Sequence, residues 1–189
     1  MPNQPTNCHA NTEQPVIVPI PPAESEELVA LARKIYAEHY LHLWEPGGAE
    51  WYMQEEAYAS DKIKHELADP DNLHFKVIAG KEAVGYLKLR LHHSSNDAAA
   101  DKVLEIERIY LLNSFTNSGI GKKLMEFTEQ IARKKNCAVI ILKAMDSSDR
   151  ALNFYHQNGY RICGNFRLNF PLMKAAYRGM VVLQKQLNC

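Results

Sequence analysis

Gly119 and Gly121, in the stretch Thr116-Asn117-Ser118-Gly119-Ile120-Gly121-Lys122-Lys123, lie between an apolar run ending at Leu112 and a helical pattern. Two missing side chains at a helix start let an anion approach several unpaired N–H groups at the positive end of the helix dipole. Lys122 and Lys123 add mobile positive charge at the same place. A phosphate-bearing ligand is the chemistry such a loop offers, although a bare GxG pair also occurs in turns that bind nothing. A second group with chemical potential is Glu105 and Glu107, two apart on a strand pattern. That spacing puts both carboxylates on one face with Ile109 and Leu111, and turns Arg108 the other way, toward a structural ion pair. A third is the aromatic cluster Tyr40, Trp44, Trp51 and Tyr52. Its ring faces favour a cation; filling core beneath a loop and forming a homodimer contact are the alternative uses.

Composition narrows what these groups can serve. A chain of 189 residues is one large domain, or a domain with a tail, and can bury a sizeable core. Lys plus Arg balance Asp plus Glu at 22 each, so nothing marks a bulk basic surface for nucleic acid. Cys8, Cys137, Cys163 and Cys189 form no CxxC pair and read as reduced thiols, not a disulfide frame or zinc site. His65 and the pair His92-His93 have no ligand partners at useful spacing and read as surface histidines, so no metal is expected. No apolar run approaches the ~18 residues of a membrane span. The N-terminus lacks the basic and apolar regions of a secretory signal, which makes the cytoplasm the expected location.

The elements that must position these residues follow from periodicity. Residues 1–13 read as a flexible tail and 14–189 as the domain. Val16–Ile20, with Pro19 inside it, fits only a short edge strand. Ser25 is placed to cap a helix through Leu28, Leu31, Ala32, Ile35 and Tyr36, and 61–67 reads as a second short helix. Strands are expected at 73–79, 83–91 and 103–112, the first two joined as a hairpin, with 92–101 a polar loop. An amphipathic helix at 119–135 precedes the nearly all-apolar strand Cys137–Ala144. A helix at 148–158 follows, with Gly159 as a left-handed cap, then strands at 160–168 and 177–187. This order predicts an α/β (mixed α+β) single domain with a central, mixed, twisted sheet of about six to seven strands flanked by helices.

At this point the chain resembles the GNAT superfamily of acyl-CoA-dependent N-acyltransferases. Two blocks carry the likeness, in the family's order and in the strand-to-helix context a motif match requires. The first is Leu104-Glu105-Ile106-Glu107-Arg108-Ile109-Tyr110-Leu111-Leu112 followed by Thr116 to Gly121. The second is Ser148-Asp149-Arg150-Ala151-Leu152-Asn153-Phe154-Tyr155-His156-Gln157-Asn158-Gly159-Tyr160. Within the superfamily it is similar to the PaiA-like polyamine acetyltransferases, through the Glu105–Tyr110 strand and through Lys62-Ile63-Lys64-His65-Glu66-Leu67-Ala68-Asp69-Pro70-Asp71. Thr116 stands where the family usually has Gln or Arg, and Ser148 where it usually has Asn.

The resemblance implies acetyl-CoA as co-substrate and the primary amine of a small, polyamine-like molecule as acceptor, joined by direct attack on the thioester. It implies that Ile109, Tyr110 and Leu111 offer main chain to pantetheine. The N–H groups of Asn117, Ser118, Gly119, Ile120, Gly121 and Lys122 would hold the diphosphate, with Thr116, Ser148 and Phe154 at the same site. Tyr155 would be the general acid, since a phenol with pKa about 10 can protonate a thiolate whose conjugate acid is near ~8.5. Glu105 and Glu107 are the candidate bases, though the family's strand carries a bulge here that limits the shared face. Tyr40, Trp44, Trp51 and Tyr52 would border the acceptor. Competing readings are an acetyltransferase of an amino acid, antibiotic or protein N-terminus, and a non-catalytic acyl-CoA sensor on the same fold.

Overall fold

The computed structural model describes residues 14–92 and 102–187; the expected tail, most of the 92–101 loop with His93, and residues 188–189 lie outside them. The chain runs β1 (Val16–Pro19), α1 (Ser25–Tyr40), α2 (Gly48–Trp51), α3 (Ser60–Ala68), β2 (Asn72–Ala79), β3 (Glu82–His92) and β4 (Lys102–Leu111). It continues through α4 (Ile120–Lys134), β5 (Cys137–Met145), α5 (Asp149–Gln157), β6 (Arg161–Arg167) and β7 (Gly179–Gln186). The strands form one seven-stranded mixed sheet in the order β1-β2-β3-β4-β5-β7-β6, in which β4 and β5 are parallel and all other neighbours antiparallel.

Each face of the sheet has its own cover. Cross-strand partners share a face, so His74, Lys88 and Arg108 lie on one side and Phe75, Leu87 and Ile109 on the other. The first face meets α1 and α3, where Tyr36 packs on Tyr58 and Tyr40 on Tyr110. The second meets α4, whose buried stripe is Ile120, Leu124, Met125, Thr128 and Ala132. Phe127 of α4 packs edge-on against Phe75. Burying one such Leu or Met side chain contributes about 1.5–3 kcal/mol.

Several local expectations change in three dimensions. Ser25 does not cap α1: it is the first helical residue and buried, and Glu24 holds the N-cap position while its carboxylate pairs with Lys76. The aromatic stretch before α3 resolves into a 3-10 turn (Leu41–Leu43), α2, and a π-type turn (Tyr52–Glu56). The last strand begins at Gly179 because Ala175–Tyr177 is spent on a 3-10 turn. His92 lies at the surface as expected, with its side chain 41% exposed, but it ends β3 and bonds to Glu105 instead of sitting in the loop. Gly159 does take the left-handed conformation of a helix cap, at φ 86°.

The sheet opens at its centre. β4 and β5 pair only from Lys102↔Cys137 to Ile106↔Leu142; beyond that β4 stays with β3 to Leu111, and β5 stays with β7 to Met145. A β-bulge sits at the divergence: Lys88 pairs Arg108 and Leu89 pairs Ile106, leaving Glu107 as the extra residue. The bulge corrects the expected shared face. Glu105 pairs opposite Arg90, on the side away from Ile109 and Leu111, whereas Glu107 pairs with Lys88 and Arg108, and Arg108 also with Glu66.

Candidate active site

The opened strands leave a free main-chain edge. Leu112 N–H donates to Val84 O, so by antiparallel alternation Tyr110 and Arg108 also bond toward β3. Ile109 and Leu111 therefore turn their N–H and C=O groups into the cleft. His39, from the last turn of α1, occupies one of them: its Nε2 lies 2.9 Å from Leu111 O. Ile109 keeps both groups available for an extended ligand.

A groove of about 980 Å³ runs from this edge to the start of α4. Asn117 and Gly119 both adopt left-handed backbone, at φ 62° and 82°, which turns successive N–H groups to one side. Among the described residues, the N–H groups of Asn117 to Lys122 have no main-chain acceptor; the first helical bond is Lys123 N–H to Gly119 O. The two glycines serve different needs. A Cβ on Gly119 would meet nothing within 4 Å, so its requirement is the positive φ and the open space; a Cβ on Gly121 would come within 3.2 Å of Phe154. Thr116 turns its hydroxyl back to Asn113 O and Ser118 to Phe115 O, so neither reaches into the groove with a long side chain. Arg150, from the first turn of α5, spans to Asn117 Oδ1 at 2.9 Å and brings a guanidinium to the loop. Lys122 and Arg150 line the groove, and no carboxylate does among the described residues. An extended polyanion fits that field.

The groove joins a smaller cavity of about 170 Å³ on the α1 side of the cleft. Tyr40, Ile109, Tyr110, Ser148 and Tyr155 line both spaces, which puts Tyr155 at the junction. Its ring rests between Phe154 and Tyr160, and its hydroxyl has no hydrogen-bond partner among the described residues. Burial, with a smaller contribution from Tyr110, holds the Tyr155 phenol well above the ordinary range, so it carries its proton throughout the working range.

Charge around the cavity is paired. Glu107 accepts from Lys88 at 2.7 Å and has Arg108 at 3.6 Å; Glu66 of α3 holds the same two cations at 3.0 and 2.9 Å. The side chain of Lys88 is only 3% exposed, and Arg108 lies over the Tyr58 ring. Burial pushes the Glu66 carboxyl up, but Arg108 and Lys88 outweigh it and hold it below the usual carboxylate range. Glu105 is held apart from this group, with one oxygen 2.8 Å from Lys143 and the other 2.6 Å from His92 Nε2. Burial raises its carboxyl, and those two hydrogen bonds more than compensate, leaving it low. Glu107 lines the cavity and Glu105 does not.

The structure thus separates the residues singled out by sequence. Thr116, Asn117, Gly119, Gly121, Lys122, Ser148, Phe154, Ile109, Tyr110 and Leu111 line the groove; Ser118 and Ile120 support the loop without lining it. Tyr40 and Tyr52 line the cavity, while Trp44 and Trp51 form a layer behind it. Trp44 is buried, with its Nε1 donating to Tyr36 Oη at 2.8 Å. Tyr36, Lys143, Arg150, His39 and the methionines Met145, Met173 and Met180 were not singled out. They come from elements far apart in sequence, and only the basic character of Arg150, inside the second motif, offered a signal.

This architecture, a mixed sheet opened between its parallel central strands and flanked by an anion-binding helix start, defines a class, and the sequence confirms it. The profile of the acetyltransferase (GNAT) family matches residues 34–160, and the chain belongs to that family. Membership carries the reaction class, an N-acetyltransferase with acetyl-CoA as co-substrate. An uncharacterised N-acetyltransferase from the pepI 3′ region of Lactobacillus delbrueckii subsp. lactis is 32% identical over 143 residues, which span 76% of this chain and 82% of that one. A spermidine N(1)-acetyltransferase of Thermoplasma acidophilum is 26% identical over 149 residues, spanning 72% and 82%. In fold, the crystal structure of a PaiA N-acetyltransferase from Thermoplasma acidophilum, in complex with coenzyme A, is similar with a TM-score of 0.73 at 20% identity, covering 93% of this chain and all of that one. Among the described residues, no group of His, Cys, Asp and Glu is arranged to hold a metal, and no helix is long and apolar enough to cross a membrane.

Proposed function

We propose that this chain transfers the acetyl group of acetyl-CoA to the primary amine of a small molecule by direct attack on the thioester. The observation that carries the reading is the opening of β4 from β5 at the Glu107 bulge. It puts a free main-chain edge, an anion-binding loop, an unpaired phenol and a carboxylate around one continuous space. The residues fit the co-substrate: free N–H groups, open space at Gly119 and a groove without carboxylates among the described residues suit a diphosphate and its pantetheine arm.

Acetyl-CoA supplies the acyl carbon in an activated form. The chain supplies position and protons. Ile109 N–H, on the open edge, is placed to polarise a carbonyl oxygen lying along β4. Glu107, directly or through a water, takes the proton that a protonated amine must lose before its nitrogen can attack. The nitrogen bonds to the acyl carbon, the carbon–sulfur bond breaks, Tyr155 gives its proton to the departing thiolate, and the second proton shed by the acylated nitrogen passes through water to restore the phenol. Burial makes that phenol a weaker acid, but the same dry surroundings destabilise a thiolate, so the transfer keeps its driving force. Glu105, with both oxygens bonded, keeps β3, β4 and β5 in register.

The likeness to a spermidine N(1)-acetyltransferase puts polyamines on the panel of acceptors. The test is release of CoA thiol from acetyl-CoA on adding amines to the purified protein. Amine-dependent release supports the reading. Cofactor binding with no turnover on any amine would make the chain a sensor and overturn it.

A further inference from the structure

The acceptor cavity is closed to a second positive charge. Among the described residues its only carboxylate is Glu107, and that group already faces Lys88 and Arg108. With Glu66 included, the cluster holds two cations and two carboxylates. Among the described residues the only other charged group at the wall, Lys143, is paired with Glu105. The rest of the wall is neutral: the phenols of Tyr36, Tyr40, Tyr52, Tyr110 and Tyr155, the Ser148 hydroxyl, and apolar side chains that include Leu43, Leu168 and the methionines. Burial keeps the five phenols protonated, so they add no negative charge.

We propose that the acceptor is a monoamine, a primary amine on an apolar body with no second ammonium. This inference rests on the acetyl-transfer reading and deepens it. One ammonium is served at the reacting end, where Glu107 relieves it of its proton and the nitrogen becomes neutral on transfer. A second ammonium further into the cavity meets only neutral groups: thioethers, aliphatic carbon, phenols and the Ser148 hydroxyl. Ring faces attract cations weakly against the penalty of burying an ion without a counter-charge. Methionine and leucine walls instead reward a methylene chain or an aromatic ring. Spermidine, with three ammonium groups, is a poor match to this space.

The test compares 1-aminopentane with 1,4-diaminobutane, which have the same number of heavy atoms and differ in whether the far end is methyl or ammonium. Acetyl-CoA-dependent kcat/KM is expected to favour 1-aminopentane about a hundredfold or more, despite the two equivalent nitrogens of the diamine, with spermidine lower than 1-aminopentane by at least as much. Equal or better turnover of the diamine or of spermidine would overturn the inference and leave the acetyltransferase reading standing. Turnover of none of the three, nor of any other amine, would overturn both.

Discussion

The groove and the cavity meet at Tyr155, yet they are built on opposite principles. The groove recognises its ligand with main chain: the open edge at Ile109 and the N–H groups from Asn117 to Lys122. Its charge is uncompensated, with Lys122 and Arg150 and no carboxylate among the described residues. The cavity is made almost wholly of side chains, and its charges cancel through Glu66, Lys88, Glu107 and Arg108. Main-chain recognition tolerates changes of side chain, which is how Thr116 and Ser148 depart from the family pattern without removing a donor. Side-chain recognition has no such tolerance, so the acceptor is where related chains are free to differ.

Substitutions in each region separate the two. The largest effect falls on the carboxylate of the cavity: Glu107→Gln is expected to lower kcat/KM for the amine about 10²–10³-fold while leaving acetyl-CoA affinity within about twofold. Glu105→Gln, two residues away, is expected to change turnover less than about fivefold and instead cost about 1–3 kcal/mol in chemical unfolding. Equal losses of activity in the two variants would erase the distinction drawn at the bulge. In the groove, Gly119→Ala is expected to weaken acetyl-CoA binding roughly tenfold by calorimetry, because an alanine resists φ near 82° and its methyl enters the ligand space.

A balanced cavity is also intolerant of an added charge behind it, and His74 tests that. It is buried beside Lys88, and neither ring nitrogen has a hydrogen-bond partner among the described residues. Burial first, and Lys88 second, press its pKa from 6.5 down to about 4. Between those values the unfolded chain binds a proton that the folded chain refuses, so stability falls as pH drops through that window and is fully present above it. A loss on the order of 2–3 kcal/mol is expected between pH 6.5 and 4, and His74→Phe should flatten it in pH-dependent denaturant melts. The smallest effect belongs to the loop: Thr116→Gln, restoring a long polar side chain, is expected to tighten acetyl-CoA binding about threefold.

The same contrast decides how much was legible in sequence. The groove was readable because a main-chain site is written locally: glycines at 119 and 121, a strand before and Phe154-Tyr155 after. The order of elements along the chain was readable for a similar reason, from periods of two and of 3.6 separated by Gly, Pro and Asn. The cavity was not. Period two alone placed Glu105 and Glu107 on one face with Ile109 and Leu111, and a single inserted residue in the ladder turns that pair of apolar residues to the other side. Trp44 and Trp51 were grouped with Tyr40 and Tyr52 by nearness in sequence, but the turns around α2 send the indoles behind the phenols. Lys143, Met173 and Met180 arrive through β5, β7 and the segment before it, which no local pattern connects.

Tyr155 belongs to both spaces, and its hydroxyl gives the most direct test of acetyl transfer at this junction. Wild-type protein and Tyr155→Phe should be titrated with acetyl-CoA by calorimetry, then mixed with a primary amine in a single-turnover assay of CoA release. The expected result is equal affinity within about twofold and a rate lower by about 10² or more, because only the proton donor has been removed. A variant that transfers acetyl at the wild-type rate would contradict the account, as would a wild-type protein that does not bind acetyl-CoA.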